Sequence, residues 1–89
     1  MAIYVDDANI CWNGMVLSHL VADDLDELHF LAMTIGLKKE WFQCKRYPHY
    51  DVCLEKKKLA IKLGAVEIES KDIIRILNNK PAKIQLTLF

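Results

Sequence analysis

The chain has 89 residues, of which 53% are hydrophobic, and its 12 basic side chains balance its 12 acidic ones. This length and apolar content predict one domain with a single core. Zero net charge argues against a protein whose main task is to coat DNA or an anionic membrane, because both are held by an excess of positive charge. A neutral protein is also poorly protected against self-association, which leaves a homodimer open.

The cellular setting is predicted from the cysteines and from the N-terminal residues. Cys11, Cys44 and Cys53 form no CxxC pair, so we expect three free thiols rather than a disulfide framework. The N-terminus lacks the basic region of a signal peptide, and no apolar run is long enough to span a bilayer. We therefore expect a cytoplasmic protein without a membrane partner.

In chain order, the first half predicts two strands and a helix. "AIYVDD" is a strand of β-branched and aromatic residues that acids end. "NICWNG" is a loop broken by Asn13-Gly14, and "MVLSHLVA" is a second strand. Apolar residues at helical spacing predict a helix over residues 25–35, with Asp24 as N-cap, Glu27 completing an acidic capping box and Gly36 as terminator.

The second half predicts two helices among three strands. "EWFQC" is a short aromatic strand, and "KRYPHY" is a loop. Asp51 caps a helix over residues 52–63, which Gly64 ends with a positive φ. "AVEI" is a strand, Ser70 caps a third helix, and "KIQLTLF" is an edge or dimer-contact strand. We expect Tyr4, Trp41 and Val66 on neighbouring strands.

Strands that alternate with helices predict the α/β class. The expected architecture is a single domain over residues 1–89, with a small, mostly parallel sheet of three to five strands and about three helices. In such sheets ligands bind beyond the carboxyl ends of the strands. Asp6, Asp7, Gln43 and the "PHYD" segment follow such ends.

Lys56 occupies a position where its helix should bury an apolar residue. A helical projection of residues 52–63 places it within the stripe formed by Val52, Leu59 and Leu63, while Lys57 points elsewhere. One interpretation is that its stem packs on the core and its ammonium reaches water. The alternative is that the charge meets a bound anion or a carboxylate, for which Asp6, Asp7 and Asp51 are the candidates.

His19, His29 and His49, together with the aspartates, are sufficient for a divalent metal site or an acid–base pair. Their spacing matches no local motif, and a zinc site of Cys44, His49 and Cys53 is a weaker alternative. "KKEWFQCKR" interleaves basic and aromatic residues, which suits single-stranded nucleic acid unless Trp41 belongs to the core.

A series of short motifs adds a resemblance. In order they are "YVDD" at 4–7, "SHL" at 18–20, "ELH" at 27–29, "WFQ" at 41–43, "HYD" at 49–51, Lys56 and "AIKLGA" at 60–65. Over residues 3–68 the chain resembles the small bacterial and phage proteins of domain of unknown function family 4031. The resemblance implies no assigned activity. Its polar signature falls on the residues already singled out: Asp6, Asp7, His19, His29, Gln43, His49, Asp51 and Lys56.

Two hypotheses of function follow. In the first, Asp6 and Asp7 hold Mg²⁺, Mn²⁺ or Zn²⁺, Gln43 and Asp51 bind ligand, and the catalytic groups are His19, His29, His49 and Lys56. Such a site would serve a hydrolase, a nuclease or a protein that binds a phosphorylated small molecule. In the second, the chain is a bacterial or phage accessory protein that binds a host protein or nucleic acid without chemistry, and the polar residues form a buried network.

Overall fold

In the computed structural model, which describes residues 2–78, two short strands pair in succession with one long strand. β1 (Ile3–Asp6) and β2 (Ile10–Trp12) both run antiparallel to β3 (Met15–Ala22). Asn13 and Gly14 form the tight turn between β2 and β3, with φ angles of 49° and 77°. Two residues with positive φ are typical of the hairpin turn that matches strand twist. The sequence predicted only a loop before β3, because the three residues of β2 are too few to show a period.

Two further strands complete a mixed five-stranded sheet. β4 (Tyr50–Cys53) pairs antiparallel with β3, and β5 (Val66–Ile68) pairs parallel with β1. β4 lies on the opposite edge of β3 from β1 and β2, because Leu20 faces Val5 on one side and Tyr50 on the other. The predicted α/β class and single domain with three helices are confirmed. The expectation of a mostly parallel sheet is wrong in this detail, since β3 pairs antiparallel with β1, β2 and β4 and only β1 and β5 pair in parallel.

Within residues 2–78, α1 (Leu25–Thr34) and a 3₁₀ turn (Lys39–Trp41) lie between β3 and β4, and α2 (Leu54–Lys62) lies between β4 and β5. A second 3₁₀ turn (Ser70–Asp72) and α3 (Ile73–Asn78) follow β5. The helix predicted after Asp24 is confirmed as α1, although the Asp24 side chain makes no capping hydrogen bond. None of the helices within residues 2–78 is long and apolar enough to cross a membrane.

Glycine residues end α1 and α2, as the sequence predicted. Gly36 and Gly64 follow the two helices with φ angles of 93° and 115°, as predicted for Gly64. The start of α2 was placed too early, because residues 52 and 53 complete β4. Cys53, and not Asp51, is the N-cap residue. The chain passes from strand to helix without a loop, and this brings Asp51 into the sheet.

The buried face of α2 also differs from the expectation. Lys57, predicted to point away from the protein, is only 6% exposed, and its Nζ lies 2.9 Å from Glu67 Oε2 on β5. Leu59 and Leu63, predicted to be core, are exposed. The helical projection was out of phase because it assumed that these two leucines are buried and also counted Val52, which belongs to the strand.

The "EWFQC" segment is not a strand, so this prediction is wrong. Trp41 ends a 3₁₀ turn and is 49% exposed, and the only β-pairing in the segment is an isolated bridge from Gln43 to His49. Tyr4 and Val66 are direct partners on neighbouring strands, as predicted, but Trp41 is not beside them. Aromatic composition indicated burial here, whereas the segment lies at the surface. The predicted "KIQLTLF" strand lies outside the described residues.

The two faces of the sheet are packed differently. On one face a core of strand residues packs against α1 and α2, with members Val5, Leu20, Tyr50, Val52, Leu28, Leu31 and Ala60. On the other face a smaller cluster contains Val21, Tyr47, Ile73 and Leu77, the last two from α3. Side chains alternate along a strand, so His19 and Asp51 share the α3 face. Beyond α3 this face opens into a cleft.

Candidate metal centre

Asp6 fills an interruption in the sheet between β1 and β2. Its fully buried carboxylate accepts backbone N–H hydrogen bonds at Oδ1 from Ala8 at 3.2 Å and from His19 at 2.8 Å. Its other oxygen, Oδ2, lies 2.7 Å from His19 Nδ1. The carboxylate therefore replaces the strand acceptor that the backbone of His19 lacks at this point, and the same group holds the imidazole ring in place.

The hydrogen bonds of each histidine determine which ring nitrogen carries the proton and which keeps a free lone pair. A carboxylate and a carbonyl oxygen only accept hydrogen bonds. The His19 proton is therefore on Nδ1, which donates to Asp6. His49 Nδ1 likewise donates to the carbonyl oxygen of Tyr47 at 2.8 Å. When these rings are neutral, the remaining nitrogen of each, Nε2, carries an unused lone pair.

Asp51 brings a carboxylate oxygen to both imidazoles. It is the cross-strand partner of His19, and His49 precedes it by two residues on the same face. Its Oδ1 lies 3.6 Å from His49 Nε2 and 3.9 Å from His19 Nε2. Gln43 Nε2 donates to its other oxygen, Oδ2, at 2.8 Å. One oxygen is thus held by the amide while the other faces the two histidines.

The resulting N₂O group fits a metal ion. The ligand atoms of His19, His49 and Asp51 all lie within 4.8 Å of one another. Metal bonds of about 2.0–2.2 Å place two tetrahedral ligand atoms roughly 3.3–3.6 Å apart. The two distances from Asp51 Oδ1 therefore need to contract by roughly half an ångström or less, and the distance between the two imidazole nitrogens by at most about 1.5 Å. Each of the three residues has an outer hydrogen-bond partner, as metal ligands commonly do. Three protein ligands leave a position open, which is typical of catalytic rather than structural sites.

The pKa values of the two histidines in the group shift in opposite directions. The hydrogen bond to Asp6 raises the pKa of His19, and this effect outweighs the opposing effect of burial. Burial lowers the pKa of His49, so this ring is neutral near pH 7. Burial alone would raise the pKa of Asp6, but the hydrogen bonds from His19 and Ala8 together bring the pKa below its ordinary value. A metal ion must therefore displace a proton mainly from His19.

The group lies in the wall of a cleft of about 870 Å³. The other polar lining residues are Gln43, Glu40 and Lys56. The apolar lining residues are Ile10, Trp12, Met15, Leu17, Leu37 and Trp41. Mostly apolar walls with a few converging polar groups are typical of small-molecule sites.

Lys56 lines the same cleft, but it makes no direct contact with Asp6, Asp7 or Asp51, the candidate partners for its charge. Its Nζ lies 2.9 Å from the position that a Cβ on Gly36 would occupy, at the C-terminal end of α1. The partial negative charge of a helix C-terminus favours a cation there. Among residues 2–78 its ammonium has no hydrogen-bond or ion-pair partner, so its charge is free to meet a bound anion.

His29 and Asp7 lie apart from the group. His29 Nδ1 shares a 2.7 Å hydrogen bond with the hydroxyl of Tyr50, on the face covered by α1. The Asp7 carboxylate accepts the backbone N–H of Ser70 at 2.9 Å and holds the start of the second 3₁₀ turn. Both contacts have a structural explanation.

The three cysteines are free thiols. Cys53 lines the cleft, but neither it nor Cys44 belongs to the group of metal-ligand atoms found among the described residues.

Sequence reasoning found the residue types of the site but missed its pairings. An Asn-Gly turn fixes the register of a hairpin, and counting outward from Asn13 and Gly14 brings Asp6 close to His19. The spacing His49-x-Asp51 places both side chains on one face of a strand, but the segment was interpreted as a loop and a helix start. The backbone carbonyl of Tyr47 leaves no signal in the sequence.

The profile of one protein family, described as "Protein of unknown function (DUF4031)", matches residues 3–80. Searches of curated proteins and of solved structures found no match. The matched range includes every residue of the metal-ligand group and of its outer partners.

Proposed function

The chain belongs to this family of proteins of unknown function, and from its site we propose that it binds a divalent transition-metal ion through His19, His49 and Asp51 and hydrolyses a small phosphate ester there. One observation carries the proposal. Both Nε2 lone pairs and one carboxylate oxygen converge, because the other polar atom of each of these side chains is already engaged. A polar network that served only folding would pair these atoms with donors.

The proposal revises the roles expected from the sequence. Asp51, expected to bind ligand, becomes a metal ligand, and Gln43 orients its carboxylate. Asp6, expected to hold the metal, instead orients His19 from behind. Lys56 keeps its expected role toward an anion.

His29 and Asp7 have no part in the proposed site. Each is engaged in a contact of its own, with the Tyr50 hydroxyl and with the Ser70 backbone N–H.

The donor set favours some ions over others. Imidazole nitrogens suit Zn²⁺ and Fe²⁺, whereas Mg²⁺ prefers an all-oxygen shell. Zn²⁺ is therefore the first ion to test, with Mn²⁺ second. Bound Zn²⁺ lowers the pKa of its water ligand to about 7, which supplies a nucleophile without a separate protein base. Lys56, on the same cleft, would neutralise negative charge on the phosphate.

The metal site is tested by calorimetric titration of ZnCl₂ into the wild-type protein and two matched variants. Asparagine retains a donor near the Nδ1 position of histidine and lacks the distal nitrogen. We expect His49→Asn to weaken Zn²⁺ binding by more than 100-fold and His29→Asn to leave it unchanged. Equal effects of the two variants, or no binding by the wild type, would overturn the proposal.

Hydrolysis is tested separately with p-nitrophenyl phosphate as a generic ester. The wild type loaded with Zn²⁺ should release nitrophenolate, and the His49→Asn variant should not. If Zn²⁺ binds as proposed but neither this ester nor another phosphate ester is cleaved, the site binds ligands without chemistry.

The remaining expectations concern partners and location. Free thiols support a reducing, cytoplasmic setting. The exposed apolar side chains of Trp12, Met15 and Trp41 support the alternative of an accessory protein that binds a macromolecule or a second copy of the chain. Absence of any metal response would favour this alternative.

A further inference from the structure

Both tryptophans of the chain line the cleft beside the metal-ligand group. Trp12 belongs to β2 and Trp41 to the 3₁₀ turn after α1, and they are 57% and 49% exposed. Neither belongs to a core cluster. The Lys38 ammonium lies 5.7 Å from the ring centroid of Trp41 and helps to hold that ring in place. Folding therefore does not explain why two separate elements place indole rings at one cleft.

The charge of the cleft depends on the metal. Its lining contains one cation, Lys56, and two carboxylates, Asp51 and Glu40. The empty cleft therefore has no excess of positive charge, whether or not His19 carries a second proton. A divalent ion makes the net charge of the cleft positive, so an anionic ligand is attracted to the metal-loaded protein.

The size of the cleft argues for a ligand larger than an inorganic anion. Pockets of about 300–1,000 Å³ enclose molecules of drug or nucleotide size, and this cleft is about 870 Å³. Most of that space is bounded by apolar side chains, including both indoles. A ligand that fills it must offer an apolar surface to the walls and an anionic group to the metal end.

We propose that the cleft binds a small molecule that joins a planar aromatic group to a phosphate. The aromatic group stacks on Trp12 or Trp41, and the phosphate binds the metal ion and Lys56. The inference rests on the proposed function, because the metal supplies the charge that holds the phosphate. Simple aryl phosphates and nucleoside monophosphates share this chemistry.

Intrinsic fluorescence reports directly on such binding, because the chain has no tryptophan outside the cleft. The probes are phenylphosphonate, methylphosphonate and cyclohexylphosphonate, whose carbon–phosphorus bonds resist hydrolysis, and adenosine monophosphate. Each is titrated with and without Zn²⁺. We expect phenylphosphonate to bind at least about 10-fold more tightly than the other two phosphonates, and only with Zn²⁺. Tighter binding of adenosine monophosphate than of phenylphosphonate would identify a nucleotide as the natural ligand, and the reverse would identify an aryl phosphate.

Variants separate stacking from anion binding. Base–aromatic stacking corresponds to about 5- to 150-fold in affinity. In calorimetry, Trp12→Ala or Trp41→Ala should weaken phenylphosphonate binding by that factor and leave methylphosphonate binding unchanged. Phe30→Ala is the control, because Phe30 is 74% exposed on α1 and does not line the cleft.

The outcomes distinguish this inference from the proposed function. If Zn²⁺ binds but methylphosphonate or cyclohexylphosphonate binds as tightly as phenylphosphonate, the aromatic site is wrong and the metal site stands. If phenylphosphonate binds equally well without Zn²⁺, the charge argument is wrong. If Zn²⁺ does not bind at all, both proposals fail.

Discussion

Replacing Asp6 by asparagine should invert the tautomer of His19 while leaving the fold intact. The asparagine oxygen can still accept the backbone N–H groups of Ala8 and His19. Its NH₂ group then faces His19 Nδ1 and must donate to it, which moves the ring proton to Nε2. Rotating the amide by 180° does not restore the original tautomer, because it would direct NH₂ at two backbone N–H donors. The nitrogen that faces the cleft therefore loses its lone pair.

The size of both effects follows from these contacts. A hydrogen bond to a charged group contributes about 1.5–3 kcal/mol and a neutral one about 0.5–1.5 kcal/mol, so Asp6→Asn should lower the free energy of unfolding of the metal-free protein by about 1–2 kcal/mol. Loss of an outer partner behind a metal-ligating histidine typically weakens metal binding 10- to 100-fold. That factor corresponds to about 1.4–2.8 kcal/mol of binding free energy.

The assays are urea unfolding without metal, calorimetric titration with ZnCl₂, and ¹⁵N NMR of the histidine rings. Asp7→Asn is the matched control, because its amide oxygen can still accept the Ser70 N–H and it lies outside the metal-ligand group. It should change neither stability nor affinity appreciably. An Asp6→Asn protein that kept wild-type Zn²⁺ affinity would refute the role assigned to Asp6, as would one that kept its His19 proton on Nδ1.

Three further predictions concern pH, the buried lysine and a glycine. Because the pKa of His19 is raised, its contribution to stability is complete below the ordinary pKa of 6.5 and is lost as pH rises through the higher folded value. Because the pKa of His49 is lowered, stability is also lost as pH falls below 6.5. Urea unfolding of the metal-free protein should therefore show maximal stability near pH 6.5. The loss of stability above that pH should disappear in the Asp6→Asn variant, and a flat profile for the wild type would contradict this prediction. Lys57→Met should cost less than about 1 kcal/mol of unfolding free energy, because the ion-pair partner is half exposed, whereas Lys57→Ala should cost about 2 kcal/mol or more through lost packing of the stem; equal costs would show that the charge matters more than the stem. Gly36→Ala should lower the free energy of unfolding by about 1–2 kcal/mol, because the backbone there is left-handed. A smaller further loss should come from displacing the Lys56 ammonium, which lies 2.9 Å from the new Cβ position, and this part should be absent in a Lys56→Ala background. Thermal unfolding of the single and double variants measures both parts, and an unchanged melting temperature would be inconsistent with this geometry.

The sequence predicted well those elements that have a clear apolar pattern and a turn or glycine residue at one end. The helix α1 has apolar residues at helical spacing and ends at Gly36, and β3 is a long apolar run after an Asn-Gly turn. β2 was missed because three residues carry no period. Trp41 was assigned to a strand because exposed and buried aromatic residues look alike in sequence.

The candidate site was predictable as a set of residue types but not as a geometry. Asp6, His19, His49 and Asp51 were all singled out, yet the metal was assigned to Asp6, whereas we now propose that Asp51 binds it and that Asp6 orients His19. The distinction depends on register, since Asp6 lies behind His19 while Asp51 lies across from it on β4. Without the strand pairing, nothing in the sequence distinguishes a carboxylate that binds metal from one that orients a ligand.

The central claim is that one metal ion is bound by two imidazoles and one carboxylate. A crystal structure of the protein soaked with ZnCl₂, with anomalous diffraction recorded at the zinc edge, tests it most directly. We expect one strong anomalous peak bonded to Nε2 of His19, Nε2 of His49 and Oδ1 of Asp51, with Asp6 still hydrogen-bonded to His19 Nδ1. A peak that lies elsewhere, such as at Asp7 or at the cysteines, or the absence of any peak in this cleft, would contradict it.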